Sequence, residues 1–67
     1  MSILKVIEIL SSSSKSWEDA AQKAVTEASK TVRGIRSVNL KNINAVVKGK
    51  KITEYRVNCK ISFEVEH

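Results

Sequence analysis

Tyr55-Arg56-Val57-Asn58-Cys59-Lys60-Ile61-Ser62-Phe63-Glu64-Val65 alternates an apolar with a polar side chain without a break. Successive side chains of a strand point to opposite faces, so this period of two gathers Tyr55, Val57, Cys59, Ile61, Phe63 and Val65 on one face. Arg56, Asn58, Lys60, Ser62 and Glu64 share the other. The first face is core and the second is wet. A long strand with one dry face needs a cover, and the chain upstream supplies it.

Immediately before this strand, Lys48-Gly49-Lys50-Lys51 reads as a hairpin turn. The preceding segment, 36–47, begins with Val38 and Leu40 on one parity and ends with Ile43, Ala45 and Val47 on the other. A parity change inside one strand predicts a β-bulge near Lys41-Asn42 that re-aims the later side chains. Further upstream, Ser16 is a good N-cap, with Glu18 and Asp19 in the first turn where the helix dipole favours them. Trp17, Ala20, Ala21, Ala24, Val25, Ala28 and Val32 recur at helical spacing. They predict an amphipathic helix over 17–33, its stripe rich in alanine, with Gly34 as the C′ stop.

At the start, 3–10 is rich in β-branched residues and apolar on both parities: Leu4, Val6 and Leu10 on one, Ile3, Ile7 and Ile9 on the other. Such a strand is covered on both faces, and with one helix available the second cover has to be another copy of the chain. The serines of 11–14 read as a polar link. The fold expected is α+β: a single domain over 1–67 with strand 3–10, helix 17–33, strand 36–47 and strand 52–65. A helix running back along the sheet makes the first two strands parallel, and a right-handed crossover followed by a hairpin lets the last strand lie between them. The order is then 1-3-2, with every neighbouring pair antiparallel.

Composition narrows the possibilities. A chain of 67 residues buries too little apolar surface to be comfortably stable alone, and the usual remedies are disulfides, a structural metal or self-association. The single cysteine, Cys59, rules out an internal disulfide, and Cys59 with His67 falls short of the four ligands of a structural zinc. Association remains. MSILKVIEIL lacks the charged n-region and cleavage site of a signal peptide and is far shorter than the ~20 apolar residues of a membrane span, so a soluble, cytoplasmic protein is expected. A net charge of +5 favours anionic partners, or simply a solvated surface.

The stretches K-V-I-E-I, S-W-E-D-A-A, K-T-V-R-G-I and F-E-V-E, in this order and spacing, make the chain similar to the dodecin family over 3–66. The resemblance implies a hollow homododecamer of β-α-β-β subunits, helices outside the sheets, that stores a small ligand without turnover. For many members that ligand is a flavin of the riboflavin, FMN or lumichrome type. It also places the ligand-binding positions at Ser37, Asn44, Arg56 and Glu64. Ser37 stands where the family carries the tryptophan that stacks on the flavin ring. Asn44 and Glu64 replace basic residues, and Arg56 replaces a glutamine. Trp17, at the helix start, is assigned to packing.

Beside the resemblance, the residues argue against an enzyme. No nucleophile sits beside a base, and no glycine-rich phosphate loop occurs. Cys59 lies on the apolar parity as an inert thiol, and His67 is terminal. If the polar stripe faces a cavity, Arg56 is the residue expected to meet an anionic ligand, because its planar fork binds carboxylate or phosphate in two places. Glu64, Glu66 or asparagine oxygens offer an alternative, calcium held at a symmetry axis. Single-stranded nucleic acid, contacted through Lys48, Lys50 and Lys51, is disfavoured because Trp17, Tyr55 and Phe63 all fall on core positions and leave no aromatic exposed for base stacking.

Overall fold

The computed structural model describes residues 3–65. Strand β1 (Ile3–Ser13) is followed by helix α1 (Trp17–Ala28) and by two long strands, β2 (Ile35–Lys48) and β3 (Lys51–Val65). They form one three-stranded sheet of order β1-β3-β2, antiparallel throughout, as the alternation and lengths predict.

β3 carries the core because both neighbours hydrogen-bond to it and the helix lies across it. Val57, Cys59 and Ile61 are buried against Ala20, Ala24 and Ala28, and these six make the core cluster. Alanine at every fourth position puts only a Cβ between helix and sheet, so α1 packs close. Ile7, Ile9, Trp17, Ala21, Val25, Val32, Ile35 and Leu40 surround the cluster, half-buried.

The predicted bulge is present. Leu40 pairs with Cys59 and Asn42 with Asn58, leaving Lys41 as the extra residue. Val38, Leu40, Ile43 and Ala45 therefore all share the helix side of the sheet, opposite Ile61, Cys59, Val57 and Tyr55. Two further register shifts, at Arg36 and Thr53, were not predicted.

Several boundaries differ from those the sequence suggests. The helix ends at Ala28 rather than 33: Ser29 caps it, its hydroxyl donating to the Thr26 carbonyl at 2.7 Å. The Thr31 and Val32 amides then donate to the Ala28 carbonyl in a final turn. Gly34 is consequently not the C′ residue. Its positive φ of 74° serves the entry to β2, where its carbonyl accepts from the Glu64 amide at 2.9 Å. Ser11, Ser12 and Ser13 are strand rather than link, because β3 is long enough to pair them with Val57, Arg56 and Tyr55. β2 and β3 each extend a residue or more past the expected limits, and Lys48 pairs with Lys51 across a two-residue turn. Gly49 takes φ 65° at its first position, the demand of a II′ turn.

The helix start is tied down twice. The Asp19 amide donates to Ser16 Oγ at 3.0 Å, and the buried Ser13 hydroxyl donates to Asp19 Oδ2 at 2.5 Å. That hydrogen bond, then the nearby Lys23 and Lys15, holds the Asp19 carboxyl below its ordinary range. A 12-residue helix is about 18 Å long, whereas the molecule extends 52 Å. The β2–β3 hairpin outruns its cover.

Candidate ligand-binding face

Cross-strand partners share a face, so the register defines the side of the sheet turned away from α1. β1 contributes Leu4, Val6, Glu8, Leu10 and Ser12 to it, paired with Glu64, Ser62, Lys60, Asn58 and Arg56 of β3. β2 adds Ser37, Asn39, Asn42, Asn44 and Val46. This face has two characters. The β1 row is apolar and open, with Leu4, Val6 and Leu10 exposed to 62 %, 56 % and 78 %. The β3 and β2 rows are polar.

All four sequence-derived site residues lie on this face, but in two groups. Asn44 sits directly opposite Arg56, and with Leu10, Ser11, Ser12 and Glu54 they line a cleft of about 400 Å³. Arg56 Nε donates to Glu54 Oε1 at 2.9 Å, so part of the guanidinium is already engaged. Glu64 pairs with Arg36 and, with Arg33 and Gly34, lines a second cleft of about 350 Å³. Ser37 is opposite Ser62, next on this face to Glu64. At about 3.3 Å per strand residue the two groups stand roughly 20–25 Å apart. A small molecule on one subunit touches one group only.

Between them lies an asparagine patch, Asn39, Asn42 and Asn58, which Asn44 continues into the first group. The Asn58 Oδ1 atom is buried without a hydrogen-bond partner, an acceptor with spare capacity at the centre of the face. Among the described residues no group of three Cys, His, Asp or Glu converges as a metal cluster. Glu66 and His67 lie outside the described residues.

Trp17 is fixed in packing. Its Nε1 donates to the Asn44 carbonyl at 2.9 Å, and its ring meets Tyr55 edge-on, centroids 4.9 Å apart at 78°. It braces the β2 backbone beneath the site from the other side of the sheet. Burial pushes the Cys59 thiol up from its ordinary value, as befits an inert core residue.

Sequence reading missed Glu54 and Arg36 as the ionic partners of this face. Glu54 was within reach of the pattern, two residues before Arg56 and hence on its side of the strand. Arg36 was not, because its direction depends on an unpredicted bulge.

One helix laid on a three-stranded antiparallel sheet of order β1-β3-β2, with an apolar row left open on the sheet's far side, defines the architecture. A family model described as Dodecin matches residues 3–66, and the chain belongs to that family. It is 41 % identical over 66 residues to calcium dodecin of Mycobacterium tuberculosis, covering 97 % of this chain and 92 % of that protein. The crystal structure of that calcium-chelating antigen superimposes with a TM-score of 0.80 at 35 % identity, covering 96 % and 91 % of the two chains. A point variant of the Thermus thermophilus dodecin superimposes at 0.92 over the full length of both chains, at 27 % identity. The β-α-β-β fold is thus shown. No helix among the described residues is long and apolar enough to cross a membrane.

Proposed function

We propose that this chain is the subunit of a hollow, cytoplasmic homododecamer that binds and stores a small ligand without turning it over, with calcium favoured over a flavin. The assembly half of the reading is supported by the open β1 row: three large aliphatic side chains in line on one strand face are a surface that a monomer does not leave in water. Burying each contributes about 1.5–3 kcal/mol. The sequence argument that a 67-residue chain needs association points the same way.

The choice of ligand is carried by Ser37. A hydroxymethyl group at an exposed position offers no plane for an isoalloxazine ring, and no aromatic on the outer face replaces it, since Trp17, Tyr55 and Phe63 belong to the helix side. What the face does offer is hard oxygen: Glu8, Glu54, Glu64, the orphaned Asn58 Oδ1 and the neighbouring asparagine carbonyls. Calcium takes six to eight such donors. A single subunit does not gather them, so a calcium site draws carboxylates and amides from several copies around a symmetry axis. Calcium chelation by the 41 % identical relative supports this choice. Ser37, Asn44, Arg56 and Glu64 then act as two separate half-sites completed by neighbouring copies. Arg56, already turned to Glu54, serves to order that carboxylate or to meet an anion accompanying the ligand.

Light scattering on a size-exclusion column gives the mass of a dodecamer if the assembly reading is right, and a monomer at micromolar concentration overturns it. Chelator-treated protein is then titrated with calcium by calorimetry and, in parallel, with riboflavin by fluorescence. Binding heat with calcium and unchanged riboflavin emission is the expected pair. Quenched riboflavin without calcium heat reverses the assignment.

A further inference from the structure

The positive charge of the chain is not spread evenly. Residues 41–56 hold five basic side chains, Lys41, Lys48, Lys50, Lys51 and Arg56, against one acidic, Glu54, and so carry four of the five net charges. The rest of the chain, with seven basic and six acidic residues, is close to balance. Arg56 and Glu54 neutralise each other through their hydrogen bond at 2.9 Å. The four lysines are exposed, and none has an ion-pair partner among the described residues. Three of them cluster at the β2–β3 turn, where Lys48 and Lys51 face each other and Lys50 lies between them in sequence.

Such a cluster works against the fold. Like charges directly opposite on paired strands destabilise them, and no carboxylate among the described residues offsets the Lys48–Lys51 pair. The ordinary uses of surface lysine do not account for the position. Lysines that guard a sheet edge against stray pairing belong on the edge strand, but β3, which carries Lys51, is the central strand and Lys50 is in the turn. Lysines that merely keep a surface solvated have no need to oppose one another. The turn also stands clear of the rest of the chain. A Cβ added at Gly49 would meet nothing within 4 Å, and β1 ends at Ser13, opposite Tyr55, leaving the tip of the hairpin without a third strand.

We propose that this tip docks double-stranded nucleic acid, gripping its phosphate backbone without regard to sequence. Neither cleft of the outer face includes the three lysines. Point charges on long flexible stems, with no planar fork among them, do not select a small anion; a continuous row of phosphates suits them. A two-stranded ribbon is also a shape the duplex accepts: its backbones lie about 5 Å apart, and the major groove is ~12 Å wide. From there Lys48, Lys50 and Lys51 reach the phosphates along the groove walls. Single strands are not the partner, because they are held by exposed aromatics and Trp17, Tyr55 and Phe63 belong to the helix side of the sheet. Nor is a bilayer, because surface-bound elements anchor with Trp, Phe or Leu, and 47–52 contains none. The contact uses neither calcium nor the clefts, so it stands independently of the proposed ligand.

Fluorescence anisotropy of a labelled mixed-sequence DNA duplex, titrated with the whole chain at several salt concentrations, tests the proposal. Three phosphate contacts give log K against log salt a slope of about −2.7 for each hairpin engaged, so affinity falls about 40-fold between about 50 and 200 mM salt. Lys48→Gln/Lys50→Gln/Lys51→Gln should lose both the binding and its salt dependence. Lys50→Gln alone, a change in an exposed turn that leaves folding intact, should make the slope shallower by about 0.9 per hairpin. Lys5→Gln/Lys23→Gln/Lys30→Gln removes the same charge elsewhere and should bind as wild type does. A wild-type chain that leaves the duplex unbound at about 50 mM salt overturns the proposal. So does an unchanged slope for Lys50→Gln, or a control variant that loses as much affinity as the hairpin variant. Tighter binding to oligo-dT, or to phosphatidylserine vesicles, than to the duplex assigns the tip to another partner and overturns it equally.

Discussion

Among the described residues Ile61 is the largest side chain with no exposure, enclosed between β1, β2 and the alanines of α1. Ile61→Ala leaves a cavity that its surroundings cannot close. The helix presents only methyl groups there, and the flanking strands are held in register by hydrogen bonds on both sides of β3. Substitutions of this kind cost about 2–5 kcal/mol, and the rigid walls argue for about 3. At roughly 0.05–0.15 kcal/mol per residue the whole chain is worth only about 3–10 kcal/mol, so a third or more of its stability is at stake. Urea unfolding at fixed subunit concentration, followed by Trp17 fluorescence and far-ultraviolet circular dichroism, reads the loss directly. With a slope near the lower end of the ~1–3 kcal/mol/M range for small proteins, the midpoint falls by about 2 M. Ile61→Val, which removes one methyl group, lowers it by less than about 1 M. Equal shifts for the two variants, or a shift below about 0.5 M for alanine, would refute the view that β3 is the enclosed centre of the fold.

Gly34→Ala should destabilise more than Gly49→Ala: both have positive φ, worth about 1–2 kcal/mol to a side chain, but only at Gly34 does the new Cβ approach a carbonyl oxygen, that of Glu64, at 3.1 Å. Equal thermal shifts for the two would remove the steric part of that account. The Asp19 carboxyl, held below its ordinary value of 3.8 first by Ser13, contributes stability that is present above that value and lost as the pH falls through the lower folded one. The melting-temperature gap between wild type and Asp19→Asn should therefore be constant near neutrality and shrink below about pH 4; a gap that persists unchanged to about pH 2 contradicts it. Cys59 should resist a thiol reagent in the native protein and react stoichiometrically in denaturant, and rapid native labelling would show that the core opens locally.

Which features could be read from the sequence depended on whether a signal was repeated. The alternation from Tyr55 to Val65 is long enough to fix β3 and its two faces, and the parity change after Leu40 locates a bulge because apolar residues flank it on both sides. The bulges at Arg36 and Thr53 lie at the starts of their strands, where too few apolar residues precede them to reveal a change of parity. The helix end was misplaced because Val32, four residues after Ala28, continues the apolar stripe, although the regular ladder ends at Ala28, whose carbonyl accepts from both the Thr31 and the Val32 amides in a closing turn. For the candidate site, the face was legible and the grouping was not. Sequence order places Ser37, Asn44, Arg56 and Glu64 on one side of a sheet, but their separation into two clefts follows from antiparallel pairing, which sets Asn44 beside Arg56 and Ser37 near Glu64.

The strand order has a consequence for how the molecule comes into being. Of the three strands the central one is synthesised last, and Ile3 pairs with Val65, 62 residues further along. Until β3 is complete, β1 has no partner and α1 has no surface to cover, so a nascent chain can form at most a lone helix that is too short to be stable in water. Folding is then expected to begin at the β2–β3 hairpin, the most local sheet pairing available, and to finish when β1 docks against β3. During that interval the apolar residues of β1 are bare on both faces. A subunit with this topology is safest when its hairpin closes fast, which gives the tight Gly49 turn a role in the timing of folding as well as in its geometry.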